Sequence, residues 1–190
     1  MANHLAITPA RFESECRAIY ADLEPLLAGL SRDQFNWQPD RGTRWSIGQN
    51  VDHMTRGNLE YARPLAKAIA VARPRTARDP GVPNGFGAWF IRQLEPPVKM
   101  RLHAPRQLAP VSDLDLVTAR RDFDEAVDRM KHLLDEAWAV DLSRTRFANP
   151  ILFGLPLFNV AAGFLISLAH MRRHVAQAAA VKAHEEFPAA

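Results

Sequence analysis

The chain has 190 residues, 47% of them hydrophobic and 24% charged, with a formal net charge of +3. This composition suits one globular domain over residues 1–190 with a sizeable core, and it excludes a disordered or fibrous protein. Lys and Arg are scattered rather than gathered into a block, so no basic patch for nucleic acid is expected.

The first predicted helix runs from Pro9 to Leu30. Thr8 suits its N-cap and Pro9 its first position. Phe12, Cys16, Ile19, Leu23, Leu26, Leu27 and Leu30 make an apolar seam at steps of three and four. Pro25 is expected to kink or break it. Cys16 lies on that seam and reads as a small buried hydrophobe rather than a reactive thiol. It is the one cysteine, so no internal disulfide can form. No secretory signal is visible at the N-terminus, which makes a cytoplasmic setting the expectation.

Residues Ser31 to Thr43 are polar, contain Pro39 and Gly42, and read as a connection. The second helix opens at Ser46, where Ser46-Ile47-Gly48-Gln49 has the pattern of a capping box. Ile47, Val51, Met54, Tyr61, Leu65 and Ile69 supply its apolar side, with Pro64 inside the run. From Arg73 to Pro110 the chain is rich in Pro and Gly and reads as mostly non-helical, except for Gly87 to Leu94. A connection this long inside a domain is often functional.

The third helix is expected over Ser112 to Ala139, with Ser112, Asp113 and Asp115 at the end where the helix dipole favours acceptors and negative charge. The fourth covers Leu157 to His184. Phe147 to Met171 holds no Asp, Glu, Lys or Arg, long enough to raise the question of a membrane span. Pro150, Pro156, Asn149, Asn159, Gly154 and Gly163 favour a buried helix with an irregular lead-in instead. The expected fold is all-α: a four-helix bundle with a long crossover between helices 2 and 3.

The chemistry concentrates on the fourth helix. His170 and His174 are four residues apart, a spacing that puts both imidazoles on one helical face. Gly163, Ser167, His170, His174 and Gln177 form a row of small and polar residues flanked by Phe164, Leu168, Met171 and Val175, as suits a pocket lining. His53, one turn after Gln49 and Asn50 on the second helix, is the best third nitrogen. His132 reads as solvated, His184 lies near a fraying end, and His4 and His103 fall in loops. Three histidines without thiolate or carboxylate suit a borderline divalent ion such as Zn²⁺ or Ni²⁺. Three protein ligands leave a coordination position open, as catalytic sites do. Met171 stands where a zinc protease of the His-Glu-x-x-His type needs its glutamate, which argues against that mechanism. Arg172 or Arg173 can attract an acidic substrate, although arginines on a solvated face are the commoner case. Asn50 and Gln177 can orient water or substrate, or simply line the pocket.

At these residues the chain resembles the DinB-like (damage-inducible) superfamily, which includes YfiT-type thiol transferases. The resemblance rests on Trp45-Ser46-Ile47-Gly48-Gln49-Asn50-Val51-Asp52-His53, on His170-Met171-Arg172-Arg173-His174-Val175-Ala176-Gln177, and on the lead-in Leu30 to Pro39. It implies a metal held by His53, His170 and His174, an up-down-down-up bundle and a homodimer. Met171 departs from the family pattern, since many relatives carry Asp there. Some relatives add a low-molecular-weight thiol to an electrophile, which makes a metal-dependent thiol transferase acting on a small molecule the leading expectation. A metal-dependent hydrolase and a non-catalytic, stress-related metal-binding bundle are the alternatives. No membrane or nucleic-acid partner is expected.

Overall fold

The computed structural model describes residues 6–97 and 105–189; His4 and His103 lie outside them. The chain is mostly helical, in line with the all-α expectation. Its helices are α1 (Pro9–Leu27), α2 (Arg32–Asn36), α3 (Pro39–Gly42), α4 (Ile47–Ala70), α5 (Gly85–Leu94), α6 (Leu116–Ala137) and α7 (Val160–Lys182). Two short strands, β1 (Arg146–Phe147) and β2 (Phe158–Asn159), pair antiparallel just before α7.

Side-chain caps set where the long helices begin. The Thr8 hydroxyl accepts from the Arg11 N–H, and Ser46 and Gln49 complete a reciprocal capping box on α4. Asp115 caps α6 by accepting from the Thr118 N–H at 2.9 Å. The third helix therefore starts at Leu116, not at Ser112. Asp113 has φ 59°, outside helical geometry, and Ser112 instead accepts a hydrogen bond from Gln49. Asn159 caps α7 and also donates to the carbonyls of Val82 and Ser143, so α7 begins at Val160 rather than Leu157.

The first helix stops at Leu27, three residues before the end of its apolar seam. Gly29 turns the chain with φ 71°, and Ser31 opens α2 with a second capping box to Gln34. Pro25 sits inside α1, whose helical assignment continues past it to Leu27. The region expected to be a plain connection therefore holds a helical turn. α3 follows as a single turn in which Asp40 and Arg41 take left-handed values of φ 52° and 55°.

α4 packs against both α6 and α7, and α1 packs against α7 and α6. Their facing seams, including Phe12, Leu23, Val51, Met54, Leu65, Phe123, Met130, Phe164 and Leu168, are buried to within 1% exposure. Burial of each such side chain is worth about 1.5–3 kcal/mol. α7 is the central element, with every residue from Val160 to Ala169 buried. No described helix is long and apolar enough to cross a membrane. Residues 71–115 connect α4 to α6, and α5 within them packs on α7.

Candidate metal centre

α4 and α7 lie side by side, and each presents histidine on the shared face. One nitrogen from each of His53, His170 and His174 lies within 4.8 Å of the other two. The ring centroids are 4.9 Å (His53–His170), 4.5 Å (His53–His174) and 4.5 Å (His170–His174) apart. His53 and His174 are buried and His170 is half-buried. The approach of the two helices depends on Gly57, one turn beyond His53. A Cβ on Gly57 would stand 2.7 Å from Cε1 of His170.

The hydrogen bonds around the triad decide which nitrogens are left with lone pairs. Nδ1 of His53 is 2.6 Å from the carbonyl oxygen of Leu108. A carbonyl only accepts, so this nitrogen carries the proton and Nε2 keeps its lone pair. Nδ1 of His174 is 3.0 Å from Oδ1 of Asn50, and Nδ2 of Asn50 donates to the Ser46 carbonyl, which fixes the amide's orientation. His174 is thereby set as the same tautomer. Second partners of this kind orient metal-binding imidazoles and raise their basicity. Nε2 of His53 faces Nε2 of His170 at 3.0 Å. Two neutral nitrogens at that distance need a proton or a cation between them. A tetrahedral ion with Zn–N bonds of 2.0–2.1 Å separates its nitrogen ligands by about 3.3 Å, so the donor set fits a small divalent ion.

Burial lowers the pKa of all three imidazoles, and each is lowered further by a positive neighbour. His170 falls to about 3 through burial, His53 and Arg173. His174 is lowered by burial, then by His170, His53 and Arg173. His53 is lowered by burial and, more weakly, by Arg173 and Arg56, against the opposing bond to Leu108. Neutral imidazole is the form that binds metal.

The triad opens on a cavity of about 420 Å³, a size usual for small-molecule sites. Asn50 from α4 and Ser167 and Gln177 from α7 line it; Gly163, in the same α7 row, does not. A Cβ on Gly163 would instead meet Leu65 Cδ2 at 2.7 Å and Phe147 Cε1 at 3.0 Å, inside the core. Phe90, Leu94, Pro105 and Leu108 bring the long connection into the wall. Trp45, also in the wall, stacks 5.7 Å from His174 and lies tilted 4.6 Å from His53.

Two arginines adjacent in sequence part company. Arg172 is ion-paired to Glu15 and Glu95, tying α7 to α1 and to the end of α5. Arg173, which looked like a solvated residue, is only 5% exposed and lines the cavity. Asn58 was missed in the sequence. Its Oδ1 accepts from Ser167 and its Nδ2 donates to Met171 Sδ at 3.3 Å. Met171 thus packs in the α4–α7 interface, and the imidazoles take their orientation from Leu108 and Asn50. His132 is exposed and bonded to the Asp128 carbonyl, and His184 packs at a tilt against Trp37. Cys16 is buried, and burial pushes its thiol up to about 12, as an inert core residue.

The deciding comparison is with families of known sequence: the model of the DinB superfamily matches residues 15–178. The chain belongs to the DinB superfamily. No curated protein and no solved structure matches it. The DinB match covers all of α4 and α7 as far as residue 178, and so includes all three histidines.

Proposed function

We propose that His53, His170 and His174 hold one divalent ion, Zn²⁺ or Ni²⁺, and that this DinB-superfamily protein is a metal-dependent enzyme. Its reaction would be transfer of a low-molecular-weight thiol to a small electrophile, in a homodimer of single-domain chains. The observation that carries the reading is the pair of fixed tautomers. Leu108 and Asn50 each occupy an Nδ1, leaving Nε2 of His53 and His174 available beside His170. Bound there, the ion would supply a Lewis acid that favours the thiolate form of a thiol.

The chain's own residues do the rest. Trp45 packs on the imidazoles, while Phe90, Leu94 and Leu108 give the electrophile an apolar wall. Asn58 and Ser167 form a polar pair on the α4–α7 side. Hydrolysis is disfavoured by the lining itself. Among the described residues no Asp or Glu lines the cavity to act as general base.

Elemental analysis of protein purified without a histidine tag tests the metal, with wild type beside His53→Ala. Near-stoichiometric ion in the wild type and its loss in the variant are expected. Equal content in both, or none after addition of Zn²⁺ or Ni²⁺, would overturn the assignment. A turnover screen of several thiols against electrophiles then tests the reaction. A loaded protein that turns over none of them, and binds no thiol, would favour a non-catalytic metal-binding role.

A further inference from the structure

We propose that the Tyr61 hydroxyl positions the substrate in this cavity, donating its proton to a neutral carbonyl oxygen at the end of the electrophile away from the imidazoles. The inference rests on the reading of the cavity as the substrate site and adds the chemistry of its far end.

The hydrogen bonds of the lining carry the argument. Among the described residues three hydroxyl groups line the cavity, those of Thr43, Tyr61 and Ser167. Thr43 donates to the Asp40 carbonyl and Ser167 to Oδ1 of Asn58. Tyr61 instead accepts, from Nδ2 of Asn149 at 2.9 Å. That direction cannot reverse. Oδ1 of Asn149 already accepts from the Ile151 and Leu152 N–H groups, at 2.9 and 3.0 Å, which fixes the amide with its nitrogen toward the phenol. The Tyr61 proton is thus left without an acceptor among the described residues, on a residue 4% exposed. A buried donor in that state costs free energy until a partner arrives. Asn149 is fully buried behind the hydroxyl, whereas Tyr61, Ile151 and Leu152 all line the cavity. The proton is therefore offered to the cavity. Burial raises the pKa of the phenol above its ordinary value, against a smaller opposing effect of Asn149, so the proton stays on it.

The helix sets where this donor stands. Gly57 lies against the His170 ring, and Tyr61 follows it by one turn on α4. At about 1.5 Å per residue, Tyr61 is about 6 Å along the axis from the level of His170 and about 12 Å from that of His53. A ligand that reaches both the triad and Tyr61 is held at its two ends. The surroundings select what meets the proton. Phe90, Ile151, Leu152 and Ile166 share the lining, and Phe147 packs edge-on to the Tyr61 ring at 5.8 Å. A carboxylate or phosphate would bring a charge among these side chains, and a hydroxyl would bring a further donor. A ketone, ester or amide carbonyl brings an acceptor alone.

The probe is acetophenone isotopically labelled at its carbonyl, with α-methylstyrene as the isostere that lacks the oxygen. Affinity is measured by calorimetry, and the carbonyl stretch of the bound ketone by infrared difference spectroscopy. Both use the protein as purified and again after chelation. In wild type the stretch is expected below its value in cyclohexane, as hydrogen bonding lowers it. Tyr61→Phe should return it to that value and weaken the ketone about three- to tenfold, the scale of one neutral hydrogen bond. Affinity for α-methylstyrene should stay within about twofold, since the ring remains. A shift that persists in Tyr61→Phe would overturn the proposal. So would equal loss of affinity for both probes, or no binding of either. An unshifted stretch in wild type overturns it whether or not the variant folds. The chelated arm separates the two readings. A Tyr61-dependent shift in a chain that holds no metal would remove the metal and leave the donor. Metal without such a shift would do the reverse.

Discussion

At the scale of single residues, the triad depends on groups that bear no metal-binding chemistry of their own. Gly57 is one. Ala in its place should stabilise α4 by about 1 kcal/mol through helix propensity. Yet its Cβ would stand 2.7 Å from His170 Cε1 and push that ring toward the cavity. Gly57→Ala is therefore expected to keep or raise the unfolding midpoint while weakening Zn²⁺ binding. Unchanged affinity in a competition titration would show that His170 is not a ligand. Asn50 is the second such residue. Without its Oδ1 the proton of His174 is free to move to Nε2, the nitrogen the site needs bare. Loss of such a partner costs about 10–100-fold in metal affinity. Asn50→Ala should show that loss, and unaltered affinity would exclude the tautomer argument. Both residues are polar or small beside His53 in sequence, and so were open to notice. The Leu108 carbonyl was not, because a backbone acceptor leaves no trace in residue type. Arg173 was misleading for another reason. Its neighbour Arg172 serves the ion pairs at the α1 side, and nothing in Met-Arg-Arg-His tells which of the two points inward.

At the scale of elements, the helix starts were legible wherever a cap stood alone before its helix. Thr8-Pro9 and Ser46-Ile47-Gly48-Gln49 each mark one. Where several acceptors crowd together the signal divides: Ser112, Asp113 and Asp115 all qualify, and only Asp115 caps α6. Ser31-Arg32-Asp33-Gln34 carries the same capping-box signature as Ser46 to Gln49, but it is followed by too short a helix to leave a periodic seam. Asn58 also had a signal. Steps of three and four from Met54 to Tyr61 pass through it, so a polar residue occupies a seam position. Caps also differ in what else they hold. Ser46→Ala should cost about 1 kcal/mol, the usual loss for an N-cap. Asn159→Ala should cost about 3 kcal/mol. The Asn159 side chain, in a residue 2% exposed, serves the Ala162 N–H and the carbonyls of Val82 and Ser143 together. Urea unfolding of the two metal-free variants measures the difference. Equal losses would mean that β2 and the loop before α5 do not depend on Asn159 for their place on α7.

At the scale of the whole molecule, the three imidazoles couple stability to acidity. Each has its pKa lowered in the folded chain, His170 to about 3, against an ordinary value of 6.5. Below pH 6.5 the unfolded chain therefore binds protons that the native chain refuses. Stability rises with pH wherever the unfolded state holds more protons. The contribution of the triad is thus complete above pH 6.5 and is lost as pH falls from there toward the folded values. Each imidazole adds a slope of up to about 1.4 kcal/mol per pH unit within that window. Metal-free protein should lose urea resistance between pH 7.5 and 5.0, above the range where carboxylates titrate. His174→Gln, which removes one titrating ring, should lose less over the same interval. The same shifts act oppositely on the loaded site. Protons compete for a nitrogen only near its folded pKa, so metal should be retained well below pH 6.5, and released only under stronger acid. Bound ion stabilises the fold by mass action as well. Adding Zn²⁺ at pH 5.5 should therefore restore the midpoint lost by the metal-free chain. Metal that leaves already at pH 6.5, or a metal-free midpoint flat from pH 7.5 to 5.0, would show that the imidazoles are solvated rather than buried together between α4 and α7.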